Sequence, residues 1–363
     1  MQFALLHSPT GSIRLHGLRA HLVNILVTGA AGLLGGEVCK RLADAGHRVT
    51  ALVHNNPEVR ANDGSLVDVA TIKGDVSCEK LGWDQATCAS VADGHDLIVH
   101  CAATVRFDLE EADYSSVNVD GVANVLALAE AGSMAFLHVS TAYVCGTRDG
   151  PILESDPLPA SGFANGYEAS KAAGERLVRS SPVRWAIARP SIVVGEHESG
   201  RIRQFDTTYA AFKLIAEGRV RHMPARAGAT LDFVPLDHVV RGIVAIAGDM
   251  ERAEGGTFHL VSGQPLPVER FTGVIGAYPQ FHEPELVAPE KFDASMLPAL
   301  ERRLFKRVAG LYASYFQRDP EFDDRQFRAF AGASCPETGE PFIERLIDYC
   351  IEDGFLRASD AAA

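Results

Sequence analysis

The chain has 363 residues, a hydrophobic fraction of 47% and a formal net charge of -13. Its length accommodates one large α/β domain or two domains that share a core. The acidic balance argues against nucleic acid as a partner, because neutralising phosphates requires an excess of Lys and Arg. No apolar run approaches the about 20 residues that a membrane-spanning helix needs. The seven cysteines are dispersed without metal-ligand spacing, so we expect a cytoplasmic protein with no metal site and no transmembrane segment.

Residues 1–22 are predicted to be an N-terminal extension that precedes the fold. They contain a very short apolar patch, which is followed by Pro9, Gly11, Arg14 and Arg19. A secretory signal would carry a longer apolar core, and none is present in this segment.

Strand and helix patterns alternate through the first half of the chain. Apolar, β-branched runs predict strands at residues 23–27, 48–53, 71–75, 97–101 and 135–139, and a further strand at 257–261. Amphipathic stretches predict helices, notably at 37–45 and 117–131. Such alternation implies a parallel sheet with right-handed crossovers. The predicted fold class is therefore α/β, a Rossmann-like doubly wound sheet with a smaller, mostly helical C-terminal lobe.

A glycine-rich turn follows the first predicted strand, in the run Thr28-Gly29-Ala30-Ala31-Gly32-Leu33-Leu34-Gly35. Gly29 permits the tight turn, Gly32 lets the backbone approach a pyrophosphate, and Gly35 allows close packing of helix on strand. The helix N-terminus then offers free amides and a partial positive charge to phosphates. The turn predicts a dinucleotide site that includes Thr28, Ala31, Leu33 and Leu34 beside the three glycines.

The end of the second predicted strand bears on which cofactor is used. NAD-binding versions of this loop usually carry an acidic residue about 20 positions on, which holds the ribose 2′-hydroxyl. Here the strand ends in Leu52-Val53-His54-Asn55-Asn56, without a carboxylate. We therefore expect NADP (NADPH) in preference to NAD, with His54 near the 2′-phosphate. The alternative is that this loop leaves the adenosine ribose exposed.

Tyr167 and Lys171 lie four residues apart, in the run Tyr167-Glu168-Ala169-Ser170-Lys171. On a helix this spacing places both side chains on one face. Free tyrosine has a pKa of about 10, and a nearby ammonium favours the phenolate, so the pair is suited to proton transfer. Ordinary neighbours on a helix surface share this spacing, and the interpretation therefore depends on the other motifs.

Together with the glycine loop, this pair and the run Ser140-Thr141-Ala142-Tyr143 resemble an extended short-chain dehydrogenase/reductase. Residues 118–124 and 189–195 are similar to two further segments of that family, and the resemblance runs from about 23 to 262. Three stretches, 74–83, 100–108 and 138–144, resemble more specifically the fatty acyl-CoA reductases and the thioester reductase domains of carboxylic acid reductases and of peptide or polyketide synthases. Those enzymes deliver hydride from NADPH to an acyl thioester.

The resemblance implies roles for individual residues. Thr141 would hold the substrate oxygen, and the alternative for it is a strand-end hydroxyl that caps its own loop. Tyr167 would transfer the proton, Lys171 would hold the nicotinamide ribose and lower the pKa of Tyr167, and a water beside Lys171 would be oriented by Asn118. Ser170 departs from the threonine that acyl-CoA reductases usually carry. The implied cofactor contacts further along the chain are Asp75, Val76, Cys101, Ala102, Ala103, Pro190, Ser191, Ile192 and Val193.

We therefore predict an NADPH-dependent reductase that converts an acyl thioester, bound to CoA or to an acyl carrier protein, to an aldehyde and, with a second hydride, to an alcohol. The alternatives are an NAD(P)-dependent secondary-alcohol or hydroxysteroid-like dehydrogenase or ketone reductase, and a nucleotide-sugar epimerase or dehydratase. A cofactor-sensing binding protein is disfavoured by the intact catalytic set. The partner is a small-molecule thioester or carbonyl substrate, and a homodimer is compatible with the sequence.

The predicted domains are an NAD(P)-binding Rossmann domain, residues 23–195 plus 231–262, and a substrate-binding lobe, residues 196–230 plus 263–363. A cleft between such units is the usual place for a substrate. Apolar and aromatic residues between 292 and 316 are predicted either to line an acyl pocket or to form the core of the lobe. Basic residues cluster at 201–226 and at 302–307. They would either meet the phosphates of CoA or of a carrier protein's pantetheine arm, or form a solvated helix face.

Three histidines, His95, His100 and His138, lie beside or within apolar strands. They share no ligand spacing, and we expect core or supporting positions rather than metal binding.

Overall fold

The computed structural model describes residues 22–358. The predicted N-terminal extension lies outside these residues except for Leu22. The strands are β1 (Asn24–Thr28), β2 (Arg48–Val53), β3 (Ala70–Lys73), β4 (Leu97–His100), β5 (Ala135–Val139), β6 (Gly150–Ile152), β7 (Trp185–Pro190), β8 (Ile192–Val194), β9 (His222–Pro224), β10 (Thr230–Leu231), β11 (Phe233–Pro235), β12 (Thr257–Leu260), β13 (Leu266–Pro267), β14 (Glu285–Val287) and β15 (Pro320–Phe322).

The α-helices are α1 (Leu33–Asp44), α2 (Gln85–Gly94), α3 (Glu111–Tyr114), α4 (Asp120–Ala131), α5 (Gly166–Ser180), α6 (Thr207–Ala216), α7 (Leu236–Ala247), α8 (Met250–Ala253), α9 (Val268–Gly276), α10 (Ala299–Arg307), α11 (Arg325–Ala331) and α12 (Glu340–Glu352). Short 3₁₀ segments include Ala142–Cys145 and Ala309–Phe316, and a π-helical turn spans Ser115–Val119. No helix among the described residues is long and apolar enough to span a bilayer.

The central sheet has seven parallel strands in the order β12-β7-β5-β4-β1-β2-β3. The chain winds outward from β1 in both directions, which confirms the predicted α/β, doubly wound fold. Strand β7, between β5 and β12, was not among the strands predicted from the sequence. In the register of the sheet Thr28 lies opposite His100, and His100 lies opposite His138. The carboxyl ends of β1, β4 and β5 therefore meet at one edge, where ligands bind in open parallel sheets.

Both faces of the sheet are buried, which explains why its central strands read as continuous apolar runs. Successive side chains of a strand point to opposite faces. Ile25 and Val27 thus pack on the side of α1 and α7, whereas Leu26, between them, packs with Ile98 and Phe136 on the side of α4 and α5.

A third apolar core lies mainly in the segments after residue 195. It contains buried side chains from α6, α9, α12 and the 3₁₀ turn 309–316, together with a few residues that follow the sheet strands. Helix α11 is an exception, because Phe327 packs with α7 and β12 on the sheet. Apart from α11, we propose the predicted division into a Rossmann domain and a substrate-binding lobe.

Candidate active site

A cavity of about 430 Å³ lies between the carboxyl edge of the sheet and the third core. One end is formed by the glycine loop, Thr141, Tyr167 and Lys171. The remainder is mostly apolar and aromatic, and its lining includes Phe212, Ile215, Met223, Phe233, Phe271, Tyr312, Tyr315, Phe316, Leu346 and Ile347. Of the apolar and aromatic residues between 292 and 316, Tyr312, Tyr315 and Phe316 therefore both line the cavity and belong to the core of the lobe.

The glycine loop meets the requirements of a phosphate site. Gly29 has φ +68°, and a Cβ atom there would lie 2.6 Å from the main-chain nitrogen of Ala102. A Cβ on Gly35 would lie 2.3 Å from the Gly29 carbonyl oxygen. Helix α1 begins after Gly32 with no side-chain cap and no acidic residue in its first turn. Its free amides therefore remain available to an anion, and the loop fits the phosphates of a dinucleotide.

Most of the predicted cofactor residues line this cavity: Gly29, Gly32, Leu33, Leu34, Gly35, Cys101, Ala103, Lys171, Pro190, Ser191, Ile192 and Val193. Thr28, Ala31 and Ala102 do not. The buried Thr28 hydroxyl lies 2.9 Å from His100 Nδ1 and accepts a hydrogen bond from the Ala102 amide. Thr28 thus ties β1 to the segment after β4 and acts on the site through that segment.

The predicted adenosine end lies away from this cavity. The Asp75 carboxylate accepts hydrogen bonds from the amide and hydroxyl of Ser77, and these bonds lower its pKa. Its second oxygen lies 3.3 Å from His54 Nε2. Val76 is buried against Gly121. The end of β2 therefore does have a carboxylate beside it, which arrives from the segment after β3 rather than from β2 itself.

Thr141 faces the cavity from the turn after β5, and Tyr167 faces it from α5. The Thr141 hydroxyl accepts from the Tyr143 amide and donates to the Pro190 carbonyl, both at 3.3 Å. It therefore does cap its own loop, as the alternative interpretation held. Burial raises the pKa of Tyr167 above its ordinary value, and a hydrogen bond with Thr141 opposes that rise. The Tyr167 ring also packs on Phe107, with centroids 5.4 Å apart.

Lys171 lies on the same face of α5 and is almost fully buried. Its Nζ donates to the Val139 carbonyl oxygen at 2.7 Å. Burial lowers the pKa of Lys171 to about 8, and the charge of Glu175 opposes this. The pKa of Tyr167 is nevertheless raised overall, because burial of the phenol dominates, and a lowering of that pKa by Lys171 stays a prediction.

Asn118 occupies the π-helical turn and is buried. Its Nδ2 donates to the Thr104 carbonyl and to the Ser170 hydroxyl, at 3.0 and 2.9 Å, and its Oδ1 accepts from the Thr104 amide. Both side-chain donors are therefore in use, so the predicted water beside Lys171 is not oriented by the donors of this amide. The side chain instead fixes the segment after β4 against helix α5.

Two of the three predicted core or supporting histidines, His100 and His138, lie close enough to Lys171 for its charge to lower their pKa, whereas His95 is half-buried with its Nε2 2.9 Å from the Thr50 hydroxyl. His100 and His138 are fully buried and stacked, with ring centroids 5.6 Å apart. Both nitrogens of His138 and Nε2 of His100 lack a hydrogen-bond partner within residues 22–358. Burial, reinforced by the Lys171 charge, lowers the pKa of His100 to about 3. The His100 and His138 rings beside the Lys171 ammonium are therefore neutral.

Sequence reasoning missed a buried ion pair next to Tyr167. Glu168 Oε1 and Arg318 Nη2 are 2.5 Å apart, and both side chains are almost fully buried. The Arg318 guanidinium lies between the rings of Tyr143 and Tyr315, 4.7 and 4.5 Å from their centroids. It links the lobe to the helix that carries Tyr167. No local pattern announces this contact, because 150 residues separate the two partners.

The parallel sheet, the glycine loop and the Tyr167/Lys171 pair define an NAD(P)-binding oxidoreductase of the extended short-chain dehydrogenase/reductase class. Within that class the chain belongs to the male sterility protein family, whose profile matches residues 27–243. The resemblance drawn from the sequence is thereby confirmed.

Curated relatives include fatty acyl-CoA reductase 1 of Rattus norvegicus, which is 27% identical over an alignment of 278 residues. The match covers 62% of this chain and 54% of the relative. Glycine betaine reductase ATRR of Emericella nidulans is 28% identical over an alignment of 276 residues. The match covers 67% of this chain and 21% of that protein. The chain thus spans about half or less of the length of these relatives.

Solved structures show the same fold. The terminal R domain from the myxalamid PKS-NRPS biosynthetic pathway superposes with a TM-score of 0.81 at 24% identity, and the match covers 94% of each chain. A UDP-galactose 4-epimerase superposes with a TM-score of 0.63 at 18% identity, over 91% of this chain and 99% of that one.

Proposed function

We propose that the protein is an NADPH-dependent reductase of an acyl thioester that is carried by CoA or by an acyl carrier protein. The observation that carries this proposal is the cavity itself. An apolar, aromatic chamber ends at the hydroxyls of Thr141 and Tyr167, next to the glycine loop. An acyl chain would bury its methylenes in that chamber, at about 0.8 kcal/mol for each, and its carbonyl would lie beside the two hydroxyls.

The proposed chemistry assigns each polar group one task. Negative charge develops on the carbonyl oxygen during reduction. A hydrogen bond from Tyr167, and one from Thr141 once its hydroxyl turns away from the Pro190 carbonyl, would stabilise that oxygen most in the transition state. Tyr167 would transfer its proton to the oxygen and form a hemithioacetal. Loss of thiol from the hemithioacetal leaves an aldehyde, and repetition of the reduction would give an alcohol. Lys171 would hold the ribose next to the reacting carbon.

The proposed cofactor is NADPH, which supplies the hydride when it is bound. Its phosphates would lie on the glycine loop, and its nicotinamide beside Pro190 and Ser191. The choice over NADH rests on the absence of an acidic residue at the end of β2, and Asp75 beside His54 argues in the other direction. Binding constants for the two dinucleotides test the choice directly. Tighter binding of NADH than of NADPH would make NAD the cofactor in place of NADP.

The decisive experiment follows NADPH absorbance and free thiol together, with acyl-CoA substrates of increasing chain length. We expect one thiol for each aldehyde formed, and kcat/KM that rises with chain length until the cavity is filled. Oxidation of NADPH by ketones, or reduction of NADP+ by secondary alcohols, with no thiol released from any acyl-CoA, would instead support the dehydrogenase alternative.

The assignment of the proton donor has its own test. Tyr167→Phe keeps the ring that packs on Phe107 but removes the hydroxyl. Turnover should fall by about 100-fold or more, the usual effect of losing a general acid, whereas NADPH affinity should stay nearly unchanged. Activity that survives this substitution would remove Tyr167 from the mechanism. A homodimer and a cytoplasmic location remain predictions from the sequence, which sedimentation and cell fractionation can test.

A further inference from the structure

Arg203 lies against the glycine loop although it belongs to the segment between β8 and α6. Its Nη2 donates to the Gly32 carbonyl oxygen at 3.1 Å. Gly32 is the residue from which helix α1 begins. A guanidinium from the lobe therefore sits beside the helix N-terminus that is available to an anion.

The charge of Arg203 is not balanced by a neighbouring carboxylate. Within residues 22–358 no acidic side chain lies within ion-pair distance of it, whereas Lys213 and Arg219 of the same basic cluster pair with Glu217, and Arg226 pairs with Asp149. The Nε of Arg203 is buried and has no hydrogen-bond partner in this part of the chain.

The charged side chains around Arg203 are engaged with other partners. Arg60 pairs with Glu58, and it is close enough for its charge, after burial, to lower the pKa of Arg203. The N-terminus of α1 contributes a partial positive charge of about half an elementary charge. Glu37 is occupied by Arg41 and the Asn62 amide, and Glu196 by the Asn62 side chain and Ser199. Arg203 thus places a guanidinium that, among the described residues, has no carboxylate partner and an unused Nε donor beside the N-terminus of α1, an arrangement that an anion would stabilise.

Asn62 holds Arg203 in this position. The buried Asn62 accepts from the Arg203 amide through Oδ1 at 2.9 Å. Its Nδ2 donates to Glu196 and to the Arg201 carbonyl, and its own amide donates to Glu37 on α1. One buried amide thus joins α1, the segment after β2 and the segment that carries Arg203. The main chain of Arg203 is therefore fixed in place before any ligand arrives, which reduces the entropy lost on binding.

We propose that Arg203 is an anion-binding residue that holds the pyrophosphate of the dinucleotide from the side of the lobe, opposite the N-terminus of α1. This inference rests on the part of the proposed function that assigns a dinucleotide cofactor. The pyrophosphate is favoured over the 2′-phosphate because Gly32 marks the pyrophosphate end of such a loop, whereas a 2′-phosphate would lie near His54. A planar guanidinium can bind two phosphate oxygens at once.

The test is equilibrium binding of NADPH, NADH and ADP-ribose to Arg203→Gln, measured by titration calorimetry. All three ligands contain the pyrophosphate, and only NADPH contains the 2′-phosphate. We expect affinity for each to fall by about 10- to 100-fold, the effect of losing a charged hydrogen bond. The matched control is Arg201→Gln, which removes the same charge from an exposed position in the same segment and should leave the three affinities within about twofold.

Unchanged affinity of Arg203→Gln for ADP-ribose would overturn the proposal, and so would a loss confined to NADPH, which would assign Arg203 to the 2′-phosphate. Arg203→Lys, which keeps the charge and most of the stem, should recover part of the lost affinity, and unfolding midpoints without ligand show whether either variant is misfolded. Failure of the thioester assay with intact dinucleotide binding would sink the proposed substrate but leave Arg203 in place. Equal binding by Arg203→Gln and the unaltered protein would sink only the role of Arg203.

Discussion

Replacing Lys171 by methionine should make the protein more stable at neutral pH while removing its activity. The ammonium is buried, and its pKa is lowered from 10.5 to about 8. A lysine with a lower pKa in the folded protein destabilises the fold wherever it is protonated in the unfolded chain. That penalty is complete below pH 8, declines between pH 8 and 10.5, and is absent above.

The size of the penalty follows from the difference in pKa. A difference of about 2.5, at about 1.4 kcal/mol for each pKa unit, corresponds to about 3–4 kcal/mol. Methionine fills similar space without a charge, but it leaves the Val139 carbonyl, now bonded to Lys171 Nζ, without its donor. That loss costs about 1–3 kcal/mol. With a mid-range cost of about 2 kcal/mol for the lost donor, the expected net gain in the free energy of unfolding at pH 7 is about 1–2 kcal/mol.

The assay is urea unfolding of both proteins at a series of pH values from 7 to 10.5. The advantage of Lys171→Met should shrink as pH rises through 8 and change sign by about pH 10, because the unaltered protein no longer carries the penalty but keeps its hydrogen bond. Lys73→Met, at an exposed position of β3, is the control and should show no such trend. A variant less stable than the parent at pH 7, or a difference independent of pH, would refute the reasoning.

Three further substitutions test two other parts of the site. Arg318→Met and Glu168→Gln should each lower the free energy of unfolding by about 3–5 kcal/mol, because each leaves a buried charge without its partner; a loss below about 1 kcal/mol in urea unfolding would contradict the buried pair. Gly29→Ala should abolish dinucleotide binding, since its Cβ would lie 2.6 Å from the Ala102 nitrogen. Gly64→Ala is the control, because Gly64 also has a positive φ, +84°, but has open space around it. If the two variants bind the dinucleotide equally well, the close approach of Gly29 to Ala102 does not matter.

The local features of the chain could be predicted from the sequence because they depend on neighbouring residues. The strand, the glycine turn and the helix of residues 24–44 follow from apolar runs and from glycine's freedom at positive φ. The four-residue spacing of Tyr167 and Lys171 places them on one face of α5 by helix geometry alone. Strand β7 was missed, although its interior is fully buried.

The environment of those residues was decided only by the tertiary structure. Asp75 reaches His54 from the segment after another strand, and Arg318 reaches Glu168 from 150 residues away. Burial likewise raised the pKa of Tyr167, which the nearby lysine alone was expected to lower. Helix and turn geometry are set by contacts within a few residues, whereas desolvation and charge pairing depend on every element that packs around a group. The sequence by itself therefore determined the fold class and the types of the proposed catalytic residues, and the packed structure determined the charges and partners of those residues.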